Sequence, residues 1–189
     1  IWKGLVGSEM CIRDRHITNF NERHNGRLFF NTGRRLNNGF IRLGHSVLEF
    51  SDRDIVSRGK SLKDFYGSDT LNDKLVKTCY HFKPDLIVLG HADMISKYIL
   101  YNLKKDYSNL KIAQWFLDPL NKNGPDFKKN KKRILDKYDV IDSNFLTTSP
   151  DALGFLSKKE VNYFIPNPSD QSMETLNNFK KDCSNAVSY

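Results

Sequence analysis

Short apolar runs and helix-spaced apolar positions take turns along most of this chain, and that alternation is its first statement about architecture. Leu28-Phe29-Phe30 is a brief apolar run of the kind buried on both faces of a parallel sheet, broken by the turn residues Asn31-Thr32-Gly33. Leu36, Phe40 and Leu43 then recur at i, i+4 and i+7, which predicts a helix packing that face on the sheet and stopping at Gly44. Residues 46–50 read as a second strand. The polar stretch from Asp52 to Asp69 reads as a long connection with room for a short helix.

Beyond it, Ser68 or Asp69 can cap a helix carrying Leu71, Leu75, Cys79 and Phe82, with Pro84 past its end. Leu86-Ile87-Val88-Leu89 is the strongest strand and reads as central. A helix marked by Ile95, Ile99 and Leu103, a strand from Lys111 to Leu117 and a basic helix with Phe127, Ile134 and Tyr138 follow. The last elements are a strand at 144–148, a short helix from Ser149-Pro150-Asp151 to about Leu156, and a strand from Val161 to Ile165. Alternation from Leu28 to Ile165 predicts an α/β fold, a doubly wound parallel sheet with helices on both faces.

A chain of 189 residues suffices for one sizeable core. No apolar run is long enough to span a membrane and the N-terminus lacks a continuous apolar stretch, so a cytoplasmic protein is the simplest expectation. Cys11, Cys79 and Cys183 are widely separated and suit neither a disulfide framework nor a zinc site, so no metal is expected. The net charge of +8 admits nucleic acid, anionic lipid surfaces or phosphorylated substrates. Much of the excess lies in 128–133, which reads as the solvated face of a helix, and no nucleic-acid-binding signature accompanies it.

The first fifteen residues differ from the rest. Residues 4–15, GLVGSEMCIRDR, resemble a translated sequencing-adapter artefact found at the ends of predicted proteins from assembled environmental DNA, the alternative being an ordinary short amphipathic terminus. Residues 1–15 are therefore expected to lie outside the fold, with the domain running over 16–170 and an interdomain linker or truncated terminus over 171–189.

Ligands of such sheets bind outside the carboxyl ends of the strands. Gly33, Arg34 and Arg35 follow the first predicted strand, where a glycine turn, exposed helix-start amides and two arginines would suit a phosphate or sugar-phosphate; two solvated arginines on a plain turn are as good a reading. His91 follows the strongest strand and could serve as a general base, oriented by Asp93 or Asp118, or else could only satisfy turn groups. Asp118 could bind sugar hydroxyls or cap the turn before Pro119. Asn167 and Asp170 follow the last strand.

In order along the chain, NTGRRLNNGFIRLGHSV, KPDLIVLGHAD, IAQWFLDP, FLTTSPDA and VNYFIPNPSD resemble the N-terminal half of a bacterial GT-B glycosyltransferase of the group-1 type, related to spore-maturation glycosyltransferases. Pro168 stands where that family usually carries glycine. The resemblance implies a Rossmann-like acceptor-binding domain, one half of a GT-B architecture, facing a C-terminal domain that holds a nucleotide-sugar and has no counterpart in this sequence. It implies His91 and Asp118 as catalytic residues, Gly33, Arg34, Arg35 and Asp93 as acceptor or phosphate ligands, and Asn167 and Asp170 at the rim between domains. The fragment would be inactive alone and hold no cofactor; the acceptor would be sugar-containing or lipid-linked, with peripheral contact at the inner face of the membrane. The alternatives are a stand-alone flavodoxin-like or receiver-like domain, against which stands the lack of an acidic cluster after the first strand, and a basic nucleic-acid-binding module.

Overall fold

The computed structural model describes residues 12–157 and 159–174. Six parallel strands form one sheet in the order β2-β1-β3-β4-β5-β6: β1 is Arg13–Thr18, β2 Ser46–Ser51, β3 Leu86–Leu89, β4 Lys111–Phe116, β5 Ser143–Leu146 and β6 Asn162–Phe164. The helices between them are α1 (Thr32–Arg42), α2 (Asp52–Gly59), α3 (Ser68–Phe82), α4 (Lys97–Asp106) and α5 (Phe127–Asp136). The fold is a Rossmann-like α/β sheet, and its order is the flavodoxin-type 2-1-3-4-5 with one strand added at the far edge. Among the described residues, no helix is long and apolar enough to cross a membrane.

The first strand is Arg13–Thr18, not Leu28–Phe30, and it lies inside the sheet, paired with β2 from Arg13↔Ser46 to Thr18↔Ser51 and with β3 from Asp14↔Leu86 to Ile17↔Leu89. Arg13, Asp14 and Arg15 therefore belong to the fold, although an R-D-R-H run carries no strand signature. The backbone ladders on both sides outweigh the side-chain pattern. Leu28, Phe29 and Phe30 sit exposed on the loop between β1 and α1. Residues 1–11 and 175–189, with the expectations placed on them and on Cys11 and Cys183, lie outside the described residues.

Register sorts the side chains into two faces, because in-register neighbours of parallel strands point the same way. Ile17, Phe50, Ile87, Leu89, Ile112, Phe116 and Leu146 make one face, which closes on Leu71, Leu75 and Cys79 of α3, Leu100 and Leu103 of α4 and Ile134 of α5. The other carries His16, Glu49, Val88, Ala113 and Trp115, and α1 lies on it: Asn37 meets His16, and the Phe40 ring is 5.9 Å from the imidazole. The helix face turned inward is thus Gly33, Asn37 and Phe40. Leu43, expected among the packed residues, is 75 % exposed, because a sheet face bearing His16 and Glu49 favours a small, amide-bearing helix surface over a leucine stripe. α1 ends at Gly44 as anticipated: φ is +88°, with Gly44 N bonded to Ile41 O and His45 N to Phe40 O, a Schellman cap.

After β6 the chain returns to α1. Arg42 donates to both carboxylate oxygens of Asp170 at 2.7 and 2.8 Å, and Arg35 pairs with Glu174. This strap holds the Asp170 side chain buried.

Candidate functional site

The carboxyl ends of β1, β2, β3 and β4 surround a crevice of about 300 Å³. It sits at the switch point, where the connection from β1 runs to β2 on one side and the next, from β2, crosses back to β3 on the other. Thr18 and Asn19 come from the end of β1, Asn31, Thr32 and Gly33 from the start of α1, Asp52 and Arg53 from α2, His91 from beyond β3, and Trp115 and Asp118 from the end of β4. Local chemistry fixes each wall. Asn31 caps α1, accepting from Arg34 N at 3.0 Å. Asp54 anchors the long loop before it, accepting from the amides of Glu22 (2.8 Å) and Arg23 (3.3 Å), from the Arg23 guanidinium (2.9 Å) and from Ser51 Oγ. Burial opposes its charge, but those donors hold its carboxyl below the usual range. At the crevice floor Gly90 is obligatory, since a Cβ there would lie 2.3 Å from Thr18 Oγ1 and 2.8 Å from Trp115 Cζ2.

On the β3–β4 side, His91 Nε2 lies 3.4 Å from Asp118 Oδ2, with the ring tilted over Phe116 at 5.0 Å. The imidazole keeps 29 % of its side chain exposed. Burial lowers its pKa; Asp118 and Asp93 oppose that, while Arg133 and Arg53 reinforce it. Neutral at pH 7, with Nε2 facing the carboxylate, it presents Nδ1 as a basic atom. Asp93 stands behind this pair, its Oδ2 accepting from Arg53 at 2.8 Å and Arg133 at 3.0 Å, and Arg133 reaches Asp118 at 3.6 Å.

Below the crevice a buried chain of bonds fixes a tautomer. Trp115 Nε1 donates to His16 Nε2 at 3.2 Å, so the His16 proton sits on Nδ1 facing Asn37 Oδ1 at 3.3 Å, and Asn37 Nδ2 donates to Glu49 at 2.8 Å. Burial pushes the His16 pKa down to about 4, which keeps it neutral and holds the Trp115 ring in place.

No protein-family model matches this sequence, and no curated protein is detectably similar to it. Of the residues singled out in the sequence, Gly33, His91 and Asp118 line one crevice, and Asp93 braces it through two arginines. Others lie elsewhere. Arg34 pairs with Glu49 and stacks over Phe20 and Phe29, and Arg35 turns to Glu174, so the expected arginine cradle for phosphate does not form. Asp170 is locked to Arg42 rather than standing free at a rim, while Asn167 is exposed on the strap.

Thr18, Asn19, Asp52, Arg53, Trp115 and Arg133 were missed. The first two fell with the misplaced strand. Arg133 was hidden in a basic run that looked uniformly solvated. Asp52 was within reach, since it directly follows β2 and the strand-end rule names it. Among the described residues, no group of His, Cys, Asp and Glu is placed to hold a metal ion.

Proposed function

We propose that this domain is the acceptor side of a GT-B glycosyltransferase, which transfers a sugar from a nucleotide-sugar held by a second domain to a hydroxyl-bearing acceptor in the crevice. The supporting observation is the His91–Asp118 pair, a neutral imidazole 3.4 Å from a carboxylate, opening on the switch-point crevice beside Gly33. In this reading Nδ1 of His91 takes the proton of the acceptor hydroxyl as its oxygen bonds to the anomeric carbon and the nucleoside diphosphate leaves. Asp118 orients the ring and stabilises the imidazolium that results. Arg53 and Arg133 hold Asp93, and Arg133 keeps Asp118 in position.

The test is to express the chain extended by its downstream coding sequence and assay nucleotide-sugar binding and transfer. His91→Ala should lower turnover by about 10²-fold or more with nucleotide-sugar affinity retained. Full turnover by that variant removes His91 from the role, and absence of nucleotide-sugar binding by the extended chain overturns the reading. The strand order favours a second reading, a stand-alone flavodoxin-like binding domain, in which the same switch point holds a phosphorylated ring system. Binding of flavin mononucleotide by the chain as it stands would favour it. A receiver-like role is disfavoured, since Asn19 and Asn21 rather than an acidic pair follow β1.

A further inference from the structure

Two carboxylates two residues apart meet opposite fates at the end of β2. Asp54 has donors on both oxygens, as described above. Asp52, the first residue of α2, lines the crevice and is 1 % exposed, and among the described residues neither of its oxygens meets a donor in hydrogen-bond geometry. The adjacent guanidinium does not serve it, because Arg53 Nη2 is bonded to Asp93 at 2.8 Å. The amides of Arg53 and Met94 and the Arg53 charge favour the ionised form, yet burial outweighs them and raises the pKa. A buried carboxylate whose oxygens meet no well-aligned donor is costly to keep ionised, and a donor brought by a bound molecule would satisfy it.

We propose that Asp52 is the specificity residue of the crevice, accepting hydrogen bonds from two adjacent hydroxyls of a bound ligand. This deepens the reading above and rests on the crevice being its ligand face. The chemistry selects the partner. An ionised carboxylate is purely an acceptor, with room for two donors side by side, and a vicinal diol offers two. An anionic group would be repelled, and the donors of a neutral diol add no charge to a wall where Arg53 and Arg133 are already matched by Asp93 and Asp118. The diol has two sources, the pyranose of an acceptor or the ribose of a nucleotide.

Saturation-transfer NMR on the full chain with two sets of probes tests this. Methyl α-D-glucopyranoside and methyl α-D-mannopyranoside represent the pyranose, and UDP and ADP, each beside its 2′-deoxy counterpart, represent the ribose. One set should bind, and Asp52→Asn, which keeps the shape of the side chain, should weaken it about tenfold or more. If ribose is the source, the 2′-deoxy nucleotides should bind the unmodified chain about tenfold more weakly and lose nothing further on Asp52→Asn. If pyranose is the source, methylating one hydroxyl of the diol should act likewise. The ligand-side comparison uses unmodified protein and so does not depend on how well the variant folds. Equal binding by Asp52→Asn, indifference to loss of a hydroxyl, or no binding by either set would each overturn the proposal. Transfer by the extended chain that requires His91 and ignores Asp52→Asn would overturn this proposal alone. Diol binding through Asp52 without transfer by the extended chain would overturn only the glycosyltransferase reading.

Discussion

Replacing Asp14 by valine should stabilise this protein. Asp14 lies in β1 between β2 and β3, fully buried; Oδ2 meets His45 Nδ1 at 2.6 Å, and Oδ1 has no partner among the described residues. Burial raises its pKa; the hydrogen bond to and charge of His45 oppose the shift, and Asp85 adds to it. Removing the carboxylate relieves an unsatisfied buried acceptor, worth about 1–3 kcal/mol, and forfeits a bond to His45 of roughly the same size. What remains is the apolar burial of a valine, about 1.5–3 kcal/mol. A net gain of about 2 kcal/mol corresponds to a rise of about 4–8 °C in the unfolding midpoint for a chain of this length.

The sign with pH is fixed by the direction of the shift. A carboxyl whose folded pKa is raised contributes stability only while protonated, in full below its unfolded value of about 3.8, and loses that contribution as pH rises through the folded value. The advantage of Asp14→Val should therefore be largest at neutral pH and shrink on acidification toward pH 4. Differential scanning fluorimetry across pH on both proteins reads this directly. A lower midpoint for Asp14→Val at pH 7, or an advantage that grows toward acid, would refute the reasoning.

Two further substitutions probe the site's supports. Gly90→Ala drives a methyl group to within 2.8 Å of Thr18 Oγ1, Thr18 Cβ and Trp115 Cζ2, so it should destabilise the fold by about 1–3 kcal/mol in urea titration, with Thr18→Ala in the same chain recovering part of the loss. Wild-type stability for Gly90→Ala alone would show that the crevice floor yields. Arg42→Ala should release the strap at neutral pH, seen as faster hydrogen exchange at the Ser172 amide, which donates to Asp170, with core amides unchanged. Arg42 and then Ser172 hold the Asp170 carboxyl far below its usual range, so in the wild type the strap should stay closed through pH 4 and loosen only as pH falls toward that depressed value; unchanged Ser172 exchange in the variant would sink the strap's dependence on Arg42.

What the sequence made legible was whatever a local pattern can encode. Leu86–Leu89 forms the strand read from it, and α3 buries Leu71, Leu75 and Cys79 as their spacing demands. Gly44 takes the left-handed conformation its place after α1 calls for. β1 was illegible for a physical reason: its residues are placed by two neighbouring backbones, and Arg13-Asp14-Arg15 would read as surface anywhere else. The crevice divides in the same way. Gly33, His91 and Asp118 follow turns or strands visible in one dimension, whereas Arg34 and Arg35 were drawn off by Glu49 and Glu174, the latter 139 residues away. No spacing rule announces a partner at that range.

The strap has a mechanical consequence. Arg35 and Arg42 lie seven residues apart, on one side of α1, and both are gripped by the segment that leaves the last strand. A helix held at two points moves as a rod. From Arg42 to Gly33 the rod measures about 14 Å, and its far end forms a wall of the crevice. A tug on the chain beyond Glu174 would reach the crevice as a tilt of that rod.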